Sequence, residues 1–305
     1  MTPEQLLAEA LAAASRGDFD AAADAFERAA NDLPPEQKAN IASALESVVK
    51  LRIAANQATQ AALSLERLKR VAADPAVELR LRAELADKQS DLHGRRMAWQ
   101  AVLDKGARGD RALALTQLAH IARLENDHED AAAQFAAAAK AVDRGQEPLR
   151  EAELRLEAAI ALTTMNDVAK AEPILDELDA NLPADDGGLR ARIHSQRGLI
   201  AVSRNDLGGA LAHAERARDL ATGPDNVMTY LAAATLIAGV HQAAGRLVDA
   251  YDALAKARES LGDLLGPAGR DLVAPAIQLF EQRLGPARFQ EVWERWVALR
   301  QATDR

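Results

Sequence analysis

The stretch SRGDFDAAADAFERAA, Ser15 to Ala30, sets a Gly-Asp-Phe step ahead of a run of alanines and places Phe26 four residues after Ala22. Gly17 reads as a turn residue and Asp18 as the cap of the helix that follows. The alanines favour helix because they lose no rotamer freedom there. Whether this pattern stands alone decides the fold.

It recurs. RLENDHEDAAAQFAAAAKA repeats it with Asn126 and Asp127 in the turn, His128 in place of Phe19, Ala131 in place of Ala22 and Phe135 in place of Phe26. Further copies centre on Ala171 with Leu175, Ala210 with Ala214, and Ala250 with Leu254, and weaker ones on Ala61 with Leu65 and on Ala98 with Val102. The matching alanines are separated by 33 to 40 residues, the period of a helical array. Upstream of each turn lies another amphipathic helix with its own small residue, as with Ala119, Ala238 and Gly198. Two antiparallel helices approach to about 8–10 Å only when the contact residues are small. The alanines are therefore expected at helix contacts, and the large residue one turn later between neighbouring hairpins.

This combination resembles the tetratricopeptide repeat (TPR), in its long-helix bacterial variant with repeats near 40 residues. The resemblance implies an all-α fold: a right-handed α-solenoid of about seven TPR-like helix hairpins, closed by a C-terminal capping helix pair. The array is expected over 1–262, with repeats at about 2–35, 36–74, 75–107, 108–146, 147–184, 185–224 and 225–262, and the terminal pair over 263–305. The sequence departs from the family pattern in lacking the aromatic residue that often opens the first helix. A repeat-closing proline survives only as Pro34 and Pro183.

At the C-terminal end, LVAPAIQLFEQRL predicts a helix that Pro275 should kink, and ARFQEVWERWVALRQ another with Phe289, Val292, Trp293, Trp296 and Val297 on one apolar stripe. A solenoid must cover the apolar face of its last repeat, so a cap is the simplest reading. The alternative is an interface for self-association or partner docking through Phe289, Trp293 and Trp296.

The chain has 305 residues, of which 49% are hydrophobic and only 3% aromatic. Its net charge of -9 argues against duplex nucleic acid as a partner, because phosphate binding needs a concentrated cationic surface. Cysteine is absent, which excludes disulfides and thiolate chemistry. Glu4 and Glu9 stand where a signal peptide carries basic residues, and no apolar run reaches membrane-spanning length, so a cytoplasmic protein with no membrane partner is expected. The six histidines form no HExxH pair, and no phosphate loop, nucleophile elbow or dinucleotide fingerprint is present. The expectation is a protein that is not an enzyme and needs no cofactor or metal. RGD occurs at Arg16–Asp18 and Arg108–Asp110, each read as a turn glycine followed by a helix cap.

In the resembling family the first helix of each pair lines a concave groove that takes proteins or peptides. Carried onto this sequence, the positions beside the small residues are Lys50, Arg80, Thr116, His120, Arg123, Arg192, Ser195, Leu199 and Gln242. That mixture suits an extended peptide with some acidic character, because a guanidinium grips a carboxylate as a fork. The Asn and Lys grip of chaperone-tail binders is not reproduced, since Ile160 and Gly239 occupy the polar positions. The expected function is a protein- or peptide-binding scaffold. Alternatives are a ligand- or peptide-sensing regulatory module acting through a separate effector, and a self-associating structural protein.

Overall fold

The computed structural model describes residues 1–72, 74–143, 145–183 and 186–303. Sixteen α-helices account for most of them, and none of the described residues lies in a strand. The helices follow one another as hairpins: α1 (Pro3–Ser15) with α2 (Phe19–Asp32), α3 (Lys38–Ala54) with α4 (Ala58–Val71), α5 (Pro75–Gln89) with α6 (Leu92–Lys105), and α7 (Arg111–Leu124) with α8 (His128–Ala141). There follow α9 (Pro148–Thr164) with α10 (Val168–Asn181), α11 (Gly187–Ser203) with α12 (Leu207–Leu220), α13 (Val227–Ala243) with α14 (Leu247–Leu265), and α15 (Pro267–Leu284) with α16 (Pro286–Thr303). Each helix from α1 to α8, and again from α10 to α16, packs on the next. The contacts divide the chain into two compact units, Met1–Leu154 and Arg155–Arg305. The division falls inside α9, and residues from 263 onward lie in the second unit.

The turns inside six of the hairpins share one conformation. Gly17, Asn56, Asn126, Asn166, Asn205 and Gly245 all have φ between 59° and 77°. This left-handed geometry is open to glycine and tolerated by asparagine. After three of these turns the next residue caps the second helix: an Asp18 oxygen accepts from Ala21 N at 3.1 Å, Asp127 from Asp130 N at 3.0 Å and Asp206 from Gly209 N at 2.9 Å, whereas Asp167 makes no such bond. Asp110, expected to cap in the same way, makes no such bond; its carboxylate takes Arg80 at 3.2 Å.

Ala22, Ala61, Ala131, Ala171, Ala210 and Ala250 are fully buried. Phe26 packs in one cluster with Ala44, Leu45 and Val48 of the following hairpin, and Leu254 does the same with Phe280 and Val292. A Cβ on Gly198 would stand 2.8 Å from Leu236 Cδ2, which shows how closely α11 meets α13. The third hairpin departs from the pattern: Ala98 is only partly buried, and its neighbour Trp99, 1% exposed, fills the contact. An indole buries far more apolar area than a methyl group but must place its N–H, and Asp87 accepts it at 3.0 Å. The terminal pair covers the last hairpin with Val273, Phe280 and Val292, all buried. Helix α15 runs through Pro275 without a break in its assignment.

Candidate functional site

In the first unit two of the expected groove cations, Lys50 and Arg80, are bound to the same carboxylate of α3. Glu46 of α3 takes Lys50 Nζ at 2.7 Å and the Arg80 guanidinium of α5 at 3.1 Å. Arg80 reaches Asp110 as well and lies 3.7 Å from Glu84. Burial raises the Glu84 carboxyl above its ordinary range, against the pull of Arg80 and Lys50. Thr116 leaves the ligand-facing set: it is 4% exposed, and its hydroxyl donates to Ala112 O within its own helix at 2.8 Å. His120 sets its ring edge-on to Phe135 at 5.1 Å, and Arg123 lies over the same phenyl ring at 5.6 Å while its guanidinium meets His120 Nδ1 at 2.9 Å. Both side chains are thereby packed onto the hairpin interior.

In the second unit Arg192 of α11 holds Glu157 of α9. Ser195 donates to Ala191 O at 3.0 Å, while Leu199 is 44% exposed and Gln242 of α13 partly exposed. Arg192, Ser195 and Leu199 fall on one helical face, which Val202, also exposed, continues. Helix α13 packs against α11 and shows bare backbone at Gly239, around whose missing Cβ nothing lies within 4 Å.

A second cluster joins α11 to α12. His194 and His213 bring their Nδ1 atoms to 3.1 Å with the rings stacked at 5.4 Å. One must donate and the other accept, so at least one of the two rings is neutral in this contact. Burial pushes both imidazoles below their usual range; Asp179 opposes this at His194, whereas Arg197 adds to it at both. Arg197 is itself held by Asp176 at 2.9 Å and Asp179 at 2.6 Å. Among the described residues no group of three or more His, Asp or Glu side chains is arranged to hold a metal ion.

The three terminal aromatics separate in role. Phe289 meets Tyr251 edge-on at 5.6 Å and Phe280 at 6.3 Å, within the packing of the cap. Trp296 meets Tyr251 edge-on at 5.2 Å, donates its indole N–H to Asp252 at 2.9 Å, and has the Arg300 guanidinium over its ring at 4.8 Å. Despite burial, Lys256 and that indole N–H hold the Asp252 carboxyl below the usual range. Trp293 is left 41% exposed, on the wall of a cleft of about 530 Å³ between α14, α15 and α16. Sequence reasoning missed two arginines of that cleft, Arg258 and Arg270, and in the first unit the Trp99–Asp87 bond.

No protein-family model matches the chain, and no curated protein does so. Solved structures do match by shape. A tetratricopeptide repeat protein from Parabacteroides merdae superposes with a TM-score of 0.58 at 14% identity, over 91% of this chain and 98% of that one. NprR, solved in complex with its cognate peptide NprX, superposes with a TM-score of 0.52 at 15% identity, over 99% of this chain and 98% of that one. At these identities the likeness is one of fold, and it agrees with the buried alanines and the glycine or asparagine turns: the chain has the all-α, helical-repeat fold of the tetratricopeptide repeat proteins.

Proposed function

We propose that this protein is a non-enzymatic scaffold that binds a protein or peptide on the faces of its first-position helices. The observation that carries the reading is the surface of α11 and α13. On two helices that pack against each other, α11 exposes Leu199 and Val202, and α13 exposes the bare backbone at Gly239 and part of Gln242. Apolar side chains with a few polar groups between them suit an extended chain, whose backbone needs hydrogen bonds and whose side chains need apolar contact. That NprR, similar to this chain in fold, was solved in complex with its cognate peptide NprX supports the same reading. The expected charge capture is revised, because Arg80 and Arg192 already hold internal carboxylates and a ligand would have to displace them.

A displayed library of random peptides, selected against the full chain, tests the proposal. Selection should enrich related sequences, and Leu199→Glu with Val202→Glu should weaken their binding by about tenfold or more without altering the circular dichroism. No enrichment over an unrelated helical protein would overturn it.

A further inference from the structure

We infer that the cleft between α14, α15 and α16 is a docking site for an acidic peptide segment carrying an aromatic or long aliphatic side chain. The inference deepens the peptide-binding reading above and rests on it. Its apolar wall is Trp293, exposed, with Ile277 and the rings of Tyr251 and Trp296. That wall is fixed before any ligand arrives: Tyr251 is clasped by Phe280, Phe289 and Trp296, and Trp296 is tied to Asp252 and covered by Arg300. A preformed aromatic wall gives up little side-chain freedom on binding.

Charge supplies the second half of the argument. Many arginines elsewhere in the protein are committed to its own carboxylates, as with Arg80, Arg96, Arg197 and Arg204. Arg258 and Arg270 line this cleft, are exposed, and have no carboxylate partner among the described residues. Of the acidic groups in the lining, Glu259 is bound through both oxygens by Arg300, and only Asp263 offsets the two arginines. The cleft therefore carries a positive excess in a chain of net charge -9. Free guanidiniums beside an aromatic surface match a segment with carboxylates on one side and an apolar anchor on the other.

The backbone is shaped to put Arg270 there. Gly262 lies within α14, where a glycine weakens a helix, and the Arg270 side chain occupies the space of its missing Cβ: Nε would lie 2.7 Å from that atom and Cγ 2.9 Å. Gly269 brings α15 down onto α14, since a Cβ there would stand 1.9 Å from Leu261 O. Arg270 thus crosses α14 and reaches the cleft lining.

A second copy fits less well, because a two-fold contact sets the same cationic cleft against itself.

The test titrates the full chain, by tryptophan emission, with a short capped peptide of alternating glutamate and leucine around one phenylalanine. Controls replace the glutamates with lysine, or the apolar residues with alanine. We expect saturable binding of the first peptide and none of the controls. Arg258→Glu with Arg270→Glu should raise Kd about tenfold or more, and Trp293→Phe should diminish the emission change. Gly262→Ala, which strengthens the helix but displaces Arg270, should raise Kd several-fold. Equal affinity in the double-arginine variant, or equal binding of the lysine peptide, overturns the inference. So does a dimer in light scattering that Trp293→Ala dissociates. If library peptides depend on Leu199 but ignore Arg258 and Arg270, this site falls and the scaffold reading stands. If the library enriches nothing, the scaffold reading itself falls.

Discussion

At the scale of single residues, the glycines show which positions the packing has claimed. Gly239 lies in the middle of α13 with open space where its side chain would be, so Gly239→Ala adds helix propensity and meets no obstacle. We expect it to stabilise the protein by about 1 kcal/mol. Gly269 is the opposite case: its Cβ would overlap a backbone carbonyl of α14, which cannot turn aside as a side chain could. Gly269→Ala should destabilise by about 3 kcal/mol or more, because α15 must lift from α14 to relieve the overlap. Urea unfolding of the two variants checks both signs; equal effects would mean that close approach of α15 and α14 contributes nothing.

At the scale of helices, what could be read in the sequence follows from what each position demands. The hairpin turn needs a left-handed backbone, so only glycine or asparagine recurs there, and a helix contact at close approach needs alanine. Those demands leave a repeating signature. The third copy is weak because its turn, at Ser90 and Asp91, does not use that conformation and Trp99 takes over the contact. The groove could not be read in the same way, because the carboxylates that hold Arg80 and Arg192 lie a whole repeat away: Arg80 meets Glu46 34 residues earlier, and Arg192 meets Glu157 35 residues earlier. Opposite charges one repeat apart on equivalent helices are the signal that would have found them. The pairing of α11 with α12 through His194 and His213 escaped notice for a similar reason, since their spacing of 19 residues gives no hint of contact. It leads to a pH prediction. Both imidazoles have folded pKa values below the ordinary 6.5, so below that pH the unfolded chain takes up protons that the folded chain refuses. Stability is then full above pH 6.5 and falls as pH drops through the folded values. Melting temperature should decline on the acid side of that point, well above the range where carboxylates titrate, and His213→Gln should shallow the decline. An unchanged slope would show that the pair does not couple to folding.

At the scale of the whole molecule, stability in an array of this kind is a sum over neighbours, because each hairpin buries its open face against the next. Phe26 lies against Leu45 and Val48, and Leu254 against Phe280 and Val292. The last hairpin has no eighth repeat to follow it, and α15 with α16 supplies the cover instead. Ending the chain after Leu265 would expose the buried faces that Val273, Phe280 and Val292 now protect. At about 1.5–3 kcal/mol for each large apolar side chain removed from the core, the loss is on the order of several kcal/mol. It should not spread evenly. Hydrogen exchange on the shortened chain should show protection lost in α13 and α14, with dye binding to the exposed surface, while α1 to α4 exchange as before. Loss of protection throughout would mean that the helices fold as one cooperative block. In that case Trp293, which stands on the cap, could not be altered without disturbing every repeat, and the exposed indole would have to be read as part of the folding machinery rather than as a docking wall.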